Sequence, residues 1–89
     1  MGDFDAALAD ANSAIQIDPK NYWSVAARAR VYAKMQKNDL ARADWNNVIA
    51  LNLDHVPCFY EYRAEFFDSI NESALARQDR ATAALLQSK

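Results

Sequence analysis

Only a few side chains in this chain are of the types that carry out nucleophilic, acid–base or metal chemistry. The single histidine, His55, and the single cysteine, Cys58, stand three residues apart in the sequence. A catalytic nucleophile needs a base within hydrogen-bond reach, and neither residue has a recognisable partner at a useful spacing. One cysteine also excludes an internal disulfide and a multi-cysteine metal site. We therefore expect His55 to be an ordinary loop residue and assign no catalytic role to Cys58.

Two carboxylates, Glu61 and Glu65, lie one helical turn apart, as they would in a metal site built on a helix. No histidine accompanies them on that face, so a solvated acidic surface is the better interpretation. Gly2 is the only glycine, which excludes a glycine-rich phosphate loop. The sequence thus predicts no catalytic residue, no metal site and no cofactor, and we expect a protein that is not an enzyme.

Two arginine–aspartate pairs share one spacing: Arg28 precedes Asp44 by 16 residues, and Arg63 precedes Asp79 by 16. These arginines could be anion-binding groups. We favour the structural interpretation, in which each guanidinium forms an ion pair with its aspartate and joins two helices. Asp10 occupies the matching place earlier in the chain, and because a partner 16 residues before it would precede Met1, we expect Asp10 to lack the equivalent ion pair.

The same spacing belongs to a longer internal repeat. An alanine stands three residues before each of these aspartates, and the three alanine–aspartate sets follow one another at 34 and 35 residues. An Arg-Ala dipeptide followed three residues later by an aromatic also recurs at 35. The residues are Ala7, Ala41, Ala76, Arg28, Ala29, Tyr32, Arg63, Ala64 and Phe67. A period of this length is typical of stacked helical arrays.

The composition agrees with helices, because one glycine and two prolines leave almost no residues for β-hairpin turns. We predict an all-α fold with about five helices. They begin after Asp3, after Asn21, at Asn38 or Asp39, at Pro57 and after a break at 71–73; the first ends near Ile17 and the second near Gln36. Helical spacing predicts inward-facing side chains that include Leu8, Ala11, Ala14, Ile15, Val25, Ala29, Tyr32, Leu40, Ala41, Trp45, Val48, Leu51, Tyr60, Ala64, Phe67, Leu75, Ala76, Ala83 and Leu86.

The register of small and aromatic residues resembles the tetratricopeptide repeat (TPR) family, whose unit is a pair of antiparallel helices, A and B, in an α-solenoid. The resemblance implies one TPR-like domain over residues 1–89, with about two and a half repeats and the first helix A missing. Residues 1–19 would be helix B of the partial repeat, 20–54 the second repeat and 55–89 the third. The second repeat carries about two additional residues near 52–56, with His55 in place of a proline. A register of 36 residues, which matches 14–18 to 50–54, is an alternative there.

In TPR proteins the concave groove is lined mainly by helix A. The resemblance implies a groove with basic and aromatic residues from the second helix and acidic ones from the fourth: Trp23, Ala26, Ala27, Arg30, Ala33, Lys34, Cys58, Glu61, Tyr62, Glu65, Asp68 and Ser69. We expect Trp23, Arg30, Lys34, Glu61, Tyr62 and Glu65 to bind a partner peptide. In the alternative, Arg30 and Lys34 only pair with Glu65 and Asp68. A carboxylate clamp is not expected, because Ala27, Cys58 and Tyr62 stand where that TPR subclass has asparagine and basic residues.

A formal charge of −2, from 10 basic and 12 acidic residues, gives no electrostatic footprint for nucleic acid or an anionic membrane. No apolar run approaches the roughly 18 residues needed to cross a bilayer, so we expect a soluble chain, with the cytoplasm slightly favoured. The leading hypothesis is a protein-binding module. The second is a structural segment that packs against another copy, or a longer array, through its uncapped first helix, where Phe4, Leu8 and Ile15 would be exposed.

Overall fold

The computed structural model describes residues 3–52 and 57–88, which form five α-helices and no strand. The helices are α1 (Phe4–Ile17), α2 (Tyr22–Lys34), α3 (Asn38–Leu51), α4 (Pro57–Ser69) and α5 (Ser73–Gln87). The predicted all-α class is therefore confirmed for these residues. None of the helices within the two described ranges is long and apolar enough to cross a membrane.

Short polar side chains begin the first two helices. The Asp3 carboxylate accepts a hydrogen bond from the backbone N–H of Ala6 at 3.1 Å, and the Asn21 side chain accepts one from Trp23 at the same distance. Each satisfies an N–H that has no partner within its own helix. Both caps were predicted from the sequence. Asp18 and Pro19 follow α1 directly, and proline cannot continue a helix.

The helices α2 and α4 end in the same backbone motif. Gln36 and Asn71, 35 residues apart, both have a left-handed conformation, with φ of 62° and 64°. The backbone N–H of Lys37 donates to the carbonyl of Tyr32, and that of Glu72 donates to Phe67. This is the Schellman arrangement, which closes the last turn of a helix. It explains why α2 ends at Lys34 rather than near Gln36, where we had expected its end.

Contacts divide the chain into two compact units, residues 1–51 and 52–89. In the first unit α2 packs against both α1 and α3, and in the second α4 packs against α5. The single domain of residues 1–89, with repeat boundaries after 19 and 54, stays a prediction. His55 and most of the segment with two competing registers fall in 53–56, outside the described residues.

Small residues occupy the places where paired helices meet. Ala29, Ala41, Ala64 and Ala76 are each 0% exposed, and Ala83 is almost as fully buried. A side chain this small lets two helix axes approach closely. Among the described residues, Trp45 and Phe59 are the largest side chains that are fully buried, and Phe66 and Phe67 are nearly as well covered.

Two predicted orientations, those of Leu40 and Ala26, are wrong, and the core position predicted for Tyr60 is only half-buried. Leu40 was expected to face inward but is 48% exposed, because it lies in the first turn of α3 and is rotated by about 100° from the buried Ala41. Tyr60 was expected in the core, yet the neighbouring Phe59 is fully buried and Tyr60 only half-buried. Ala26, placed in the binding groove by the family resemblance, is buried.

Candidate functional site

Arg28 joins all three helices of the first unit. Its Nε and Nη2 donate to the two carboxylate oxygens of Asp44 on α3, both at 2.8 Å, while Nη1 donates to Oδ1 of Asn12 on α1 at 2.9 Å. The guanidinium also lies 5.8 Å from the ring centroid of Tyr32, one turn further along α2. Such a fork-to-carboxylate pair fixes both distance and orientation between helices.

Arg63 repeats this arrangement in the second unit. Its Nε and Nη2 donate to the two oxygens of Asp79 at 2.8 and 2.7 Å, and its guanidinium lies 5.5 Å from the Phe67 ring centroid and 5.9 Å from that of Tyr60. Both aspartates are buried. The structure therefore contains both ion pairs that the spacing of 16 residues predicts.

The hydrogen bonds with Asp44 raise the pKa of the Arg28 guanidinium above its usual value, although burial acts in the opposite direction. Each guanidinium is already bound to a carboxylate on the neighbouring helix, so neither is placed as an open anion receptor. Their arrangement supports the structural interpretation of these residues.

Asp10 is the third member of the aspartate series, and its surroundings differ from those of the other two. It lies on the exposed side of α1, and among the described residues it has no hydrogen bond or ion pair. Ala7, which matches the buried Ala41 and Ala76, is only half-buried. This face of α1 is therefore open where the equivalent faces of α3 and α5 are covered.

A groove of about 450 Å³ lies along this open face, between α1 and α2. We call it the α1–α2 groove. Its lining is mostly apolar, with Asp10 as the charged group, and includes Ala7, Asp10, Ala14, Trp23, Ala27 and Val31. The sequence predicted a bare face on the first helix, but it did not show that Trp23 forms one wall of a groove there. In the sequence, the only indication of a groove at this place was that Ala7 and Asp10 have no matching arginine.

The predicted partner-binding residues of α2 lie at its surface. Trp23 is 56% exposed, and its ring centroid lies 6.1 Å from that of Tyr22. Arg30 and Lys34 are also exposed, and they lie about two and three helical turns beyond Trp23 along α2. α2 therefore presents an aromatic side chain and two cations to solvent.

The predicted partner-binding residues of α4 lie on the second unit. Glu61 and Glu65 are exposed and Tyr62 is half-buried, with its ring edge-on to Phe59 at 6.1 Å between centroids. The Glu61 carboxylate is at 3.5 Å from Nε2 of Gln87 on α5. Because α2 and α4 belong to different units, the shared groove that the family resemblance implies stays a prediction.

The alternative explanation of the charges used Asp68 as a partner for the cations of α2. In the structure Asp68 accepts a hydrogen bond from Nη2 of Arg80 on α5 at 2.6 Å. Both side chains are more than two-fifths exposed, so this pair adds little to stability. Asp68 is thus engaged within its own unit.

Cys58 lies in the first turn of α4 and is half-buried. Burial, and then the nearby charge of Glu61, raise the pKa of its thiol above the ordinary value. The reactive form of cysteine is the thiolate, which these surroundings disfavour. No group of three or more potential metal ligands occurs within residues 3–52 and 57–88.

No protein-family model, no curated protein and no solved structure matches this chain.

Proposed function

We propose that this chain is a TPR-like α-solenoid segment that works as a non-enzymatic protein-interaction module and binds a partner segment through the outward residues of α2 and α4. Two internal repetitions support the repeat architecture. The arginine clamp recurs at Arg28 and Arg63, and the left-handed helix end recurs at Gln36 and Asn71, both at 35 residues.

The observation that carries the binding role is the position of Trp23. More than half of this large apolar side chain is exposed, and it stands at the edge of the α1–α2 groove rather than alone on a flat surface. Tryptophan and arginine dominate the energetics of protein interfaces when they enter a desolvated contact. Trp23, with Arg30 and Lys34 on the same helix, offers an aromatic anchor flanked by positive charge. On the second unit, Glu61, Tyr62 and Glu65 of α4 are the residues that we propose to bind the partner.

A display selection tests this role without a known partner. Peptides that bind the wild-type chain would be selected and then measured against the Trp23→Ala variant. We expect a loss of affinity of at least about tenfold, the size of an interface hot spot, with an unchanged circular dichroism spectrum. Leu85→Ala is the matched control, because Leu85 is 67% exposed on α5. Equal binding by the wild type and Trp23→Ala would rule out Trp23 as the anchor.

The second candidate is a structural role, in which the chain associates with another copy or with a longer array. It is favoured by the exposure of Ile17, 85%, at the end of α1. Phe4, Leu8 and Ile15, which were expected to drive association, are half-buried. Light scattering separates the candidates: assembly predicts a dimer or larger at micromolar concentration that Ile17→Lys converts to a monomer, whereas peptide recognition predicts a monomer throughout.

A further inference from the structure

We propose that the α1–α2 groove binds an amphipathic helix of a partner protein that carries an arginine, an alanine directly after it and an aromatic residue four positions after the arginine. The guanidinium of that helix pairs with Asp10. The inference rests on the proposed function and specifies the chemistry of the partner.

In two places of this chain, an alanine that stands three residues before an aspartate is covered by a neighbouring helix. Ala41 and Asp44 on α3 are covered by α2, and Ala76 and Asp79 on α5 by α4. In both cases the covering helix supplies an Arg-Ala dipeptide whose alanine is itself 0% exposed. α1 carries the same set at the same interval, and the described residues contain no helix that covers it.

The shape of the groove suits a helix. Ala7 and Ala14 on α1 and Ala27 on α2 line it, so a helix axis could approach both helices closely. Trp23 and Val31 form an apolar wall along α2. An aromatic residue on the incoming helix would lie one turn from its arginine, as Tyr32 does from Arg28.

The charge of the groove selects an arginine. Asp10 carries a carboxylate with no partner among the described residues, and the two equivalent carboxylates each bind a guanidinium through two oxygens. A lysine would supply a point charge but not the planar fork that makes this pair bidentate. A neutral or acidic helix would leave Asp10 desolvated and unpaired, which costs affinity.

The probe is a fluorescein-labelled synthetic peptide with the sequence of residues 20–36, which contains the Arg-Ala dipeptide and the aromatic, and binding is followed by fluorescence anisotropy. A second peptide carries Arg28→Gln. Both are titrated with the wild-type chain, with Asp10→Asn and with the matched control Asp5→Asn, an equal charge change at an exposed position of α1 outside the groove lining. We expect the wild type and Asp5→Asn to prefer the arginine peptide by about tenfold, and Asp10→Asn to lose that preference.

Equal affinity for the two peptides, or an equal preference in Asp10→Asn and Asp5→Asn, would overturn the proposal. So would the absence of binding to either peptide, and in that case the Trp23-dependent selection would still decide the proposed function independently. Sedimentation of the chain alone tests whether a second copy of the chain occupies the groove. A self-association that Asp10→Asn weakens would assign the groove to a second copy and overturn the proposal of a partner helix.

Discussion

At the scale of single residues, Arg28 and Arg63 explain much of the internal repeat. Each guanidinium binds both oxygens of a buried aspartate and lies against an aromatic ring one turn away. The ion pairs were predictable because the same spacing of 16 residues occurs twice. The additional bond from Arg28 to Asn12 was not, since it depends on the direction in which the guanidinium leaves its helix.

Removing one carboxylate tests the importance of this clamp. Asp44→Ala should lower the free energy of unfolding by about 3 kcal/mol, because it leaves a partly buried guanidinium without its partner. Urea unfolding followed by circular dichroism measures the change. Asp10→Ala is the matched control at the equivalent but unpaired position, and its effect should stay within about 0.5 kcal/mol. Equal effects of the two substitutions would contradict a stabilising role for the Arg28 pair.

The reactivity of Cys58 tests the electrostatics of α4. Its raised pKa means that less thiolate is present at pH 8 than for an ordinary cysteine, so alkylation by iodoacetamide should be slower in the folded chain than in urea. Glu61→Gln removes a charge that raises this pKa, so the rate at pH 8 should increase and the rate profile should move to lower pH. Glu65→Gln, one turn further on, serves as the control. A rate that is unchanged by Glu61→Gln would show that burial alone controls the thiol.

At the scale of helices, the sequence predicted where helices begin more accurately than where they end or which face of a helix is buried. Helix starts are set by local effects. The side chains of Asp3 and Asn21 accept hydrogen bonds from the first turn, and the ring of Pro57 suits the first position of α4. The end of α2 was missed because glutamine at Gln36 gives no sign of a left-handed conformation. The burial of Phe59 was missed because Phe59 and Tyr60 are both aromatic neighbours and only tertiary packing decides which faces inward.

The left-handed conformation of Gln36 at the end of α2 can be tested by substitution. Gln36→Gly should raise the free energy of unfolding by about 0.5 kcal/mol, because glycine adopts a positive φ without the steric cost that glutamine bears. Lys37→Gly is the control, since Lys37 has no positive φ and glycine there should only lose conformational entropy, about 0.5 kcal/mol or more. Thermal and urea unfolding both report the sign. Destabilisation by Gln36→Gly would show that this turn differs in solution.

At the scale of the whole molecule, each compact unit has a helix pair clamped by an arginine, and the first unit has one helix more. That additional helix, α1, exposes the face that is covered in its equivalents. The repeat register predicted a bare face on α1, although Phe4, Leu8 and Ile15, which were expected to be exposed there, are half-buried. It could not predict a groove with Trp23 on its wall, because that depends on how α2 packs on α1.

The most direct test of binding in the α1–α2 groove is a ¹H–¹⁵N NMR titration of the chain with the arginine peptide. The titration is followed at the two tryptophan indole signals. Trp23 lines the groove and is exposed, whereas Trp45 is buried in α3 and serves as an internal control. A Trp23→Phe variant assigns the two signals. We predict a saturable shift of the Trp23 signal with the Trp45 signal unchanged. No shift, or equal shifts at both indoles, would contradict binding in the α1–α2 groove.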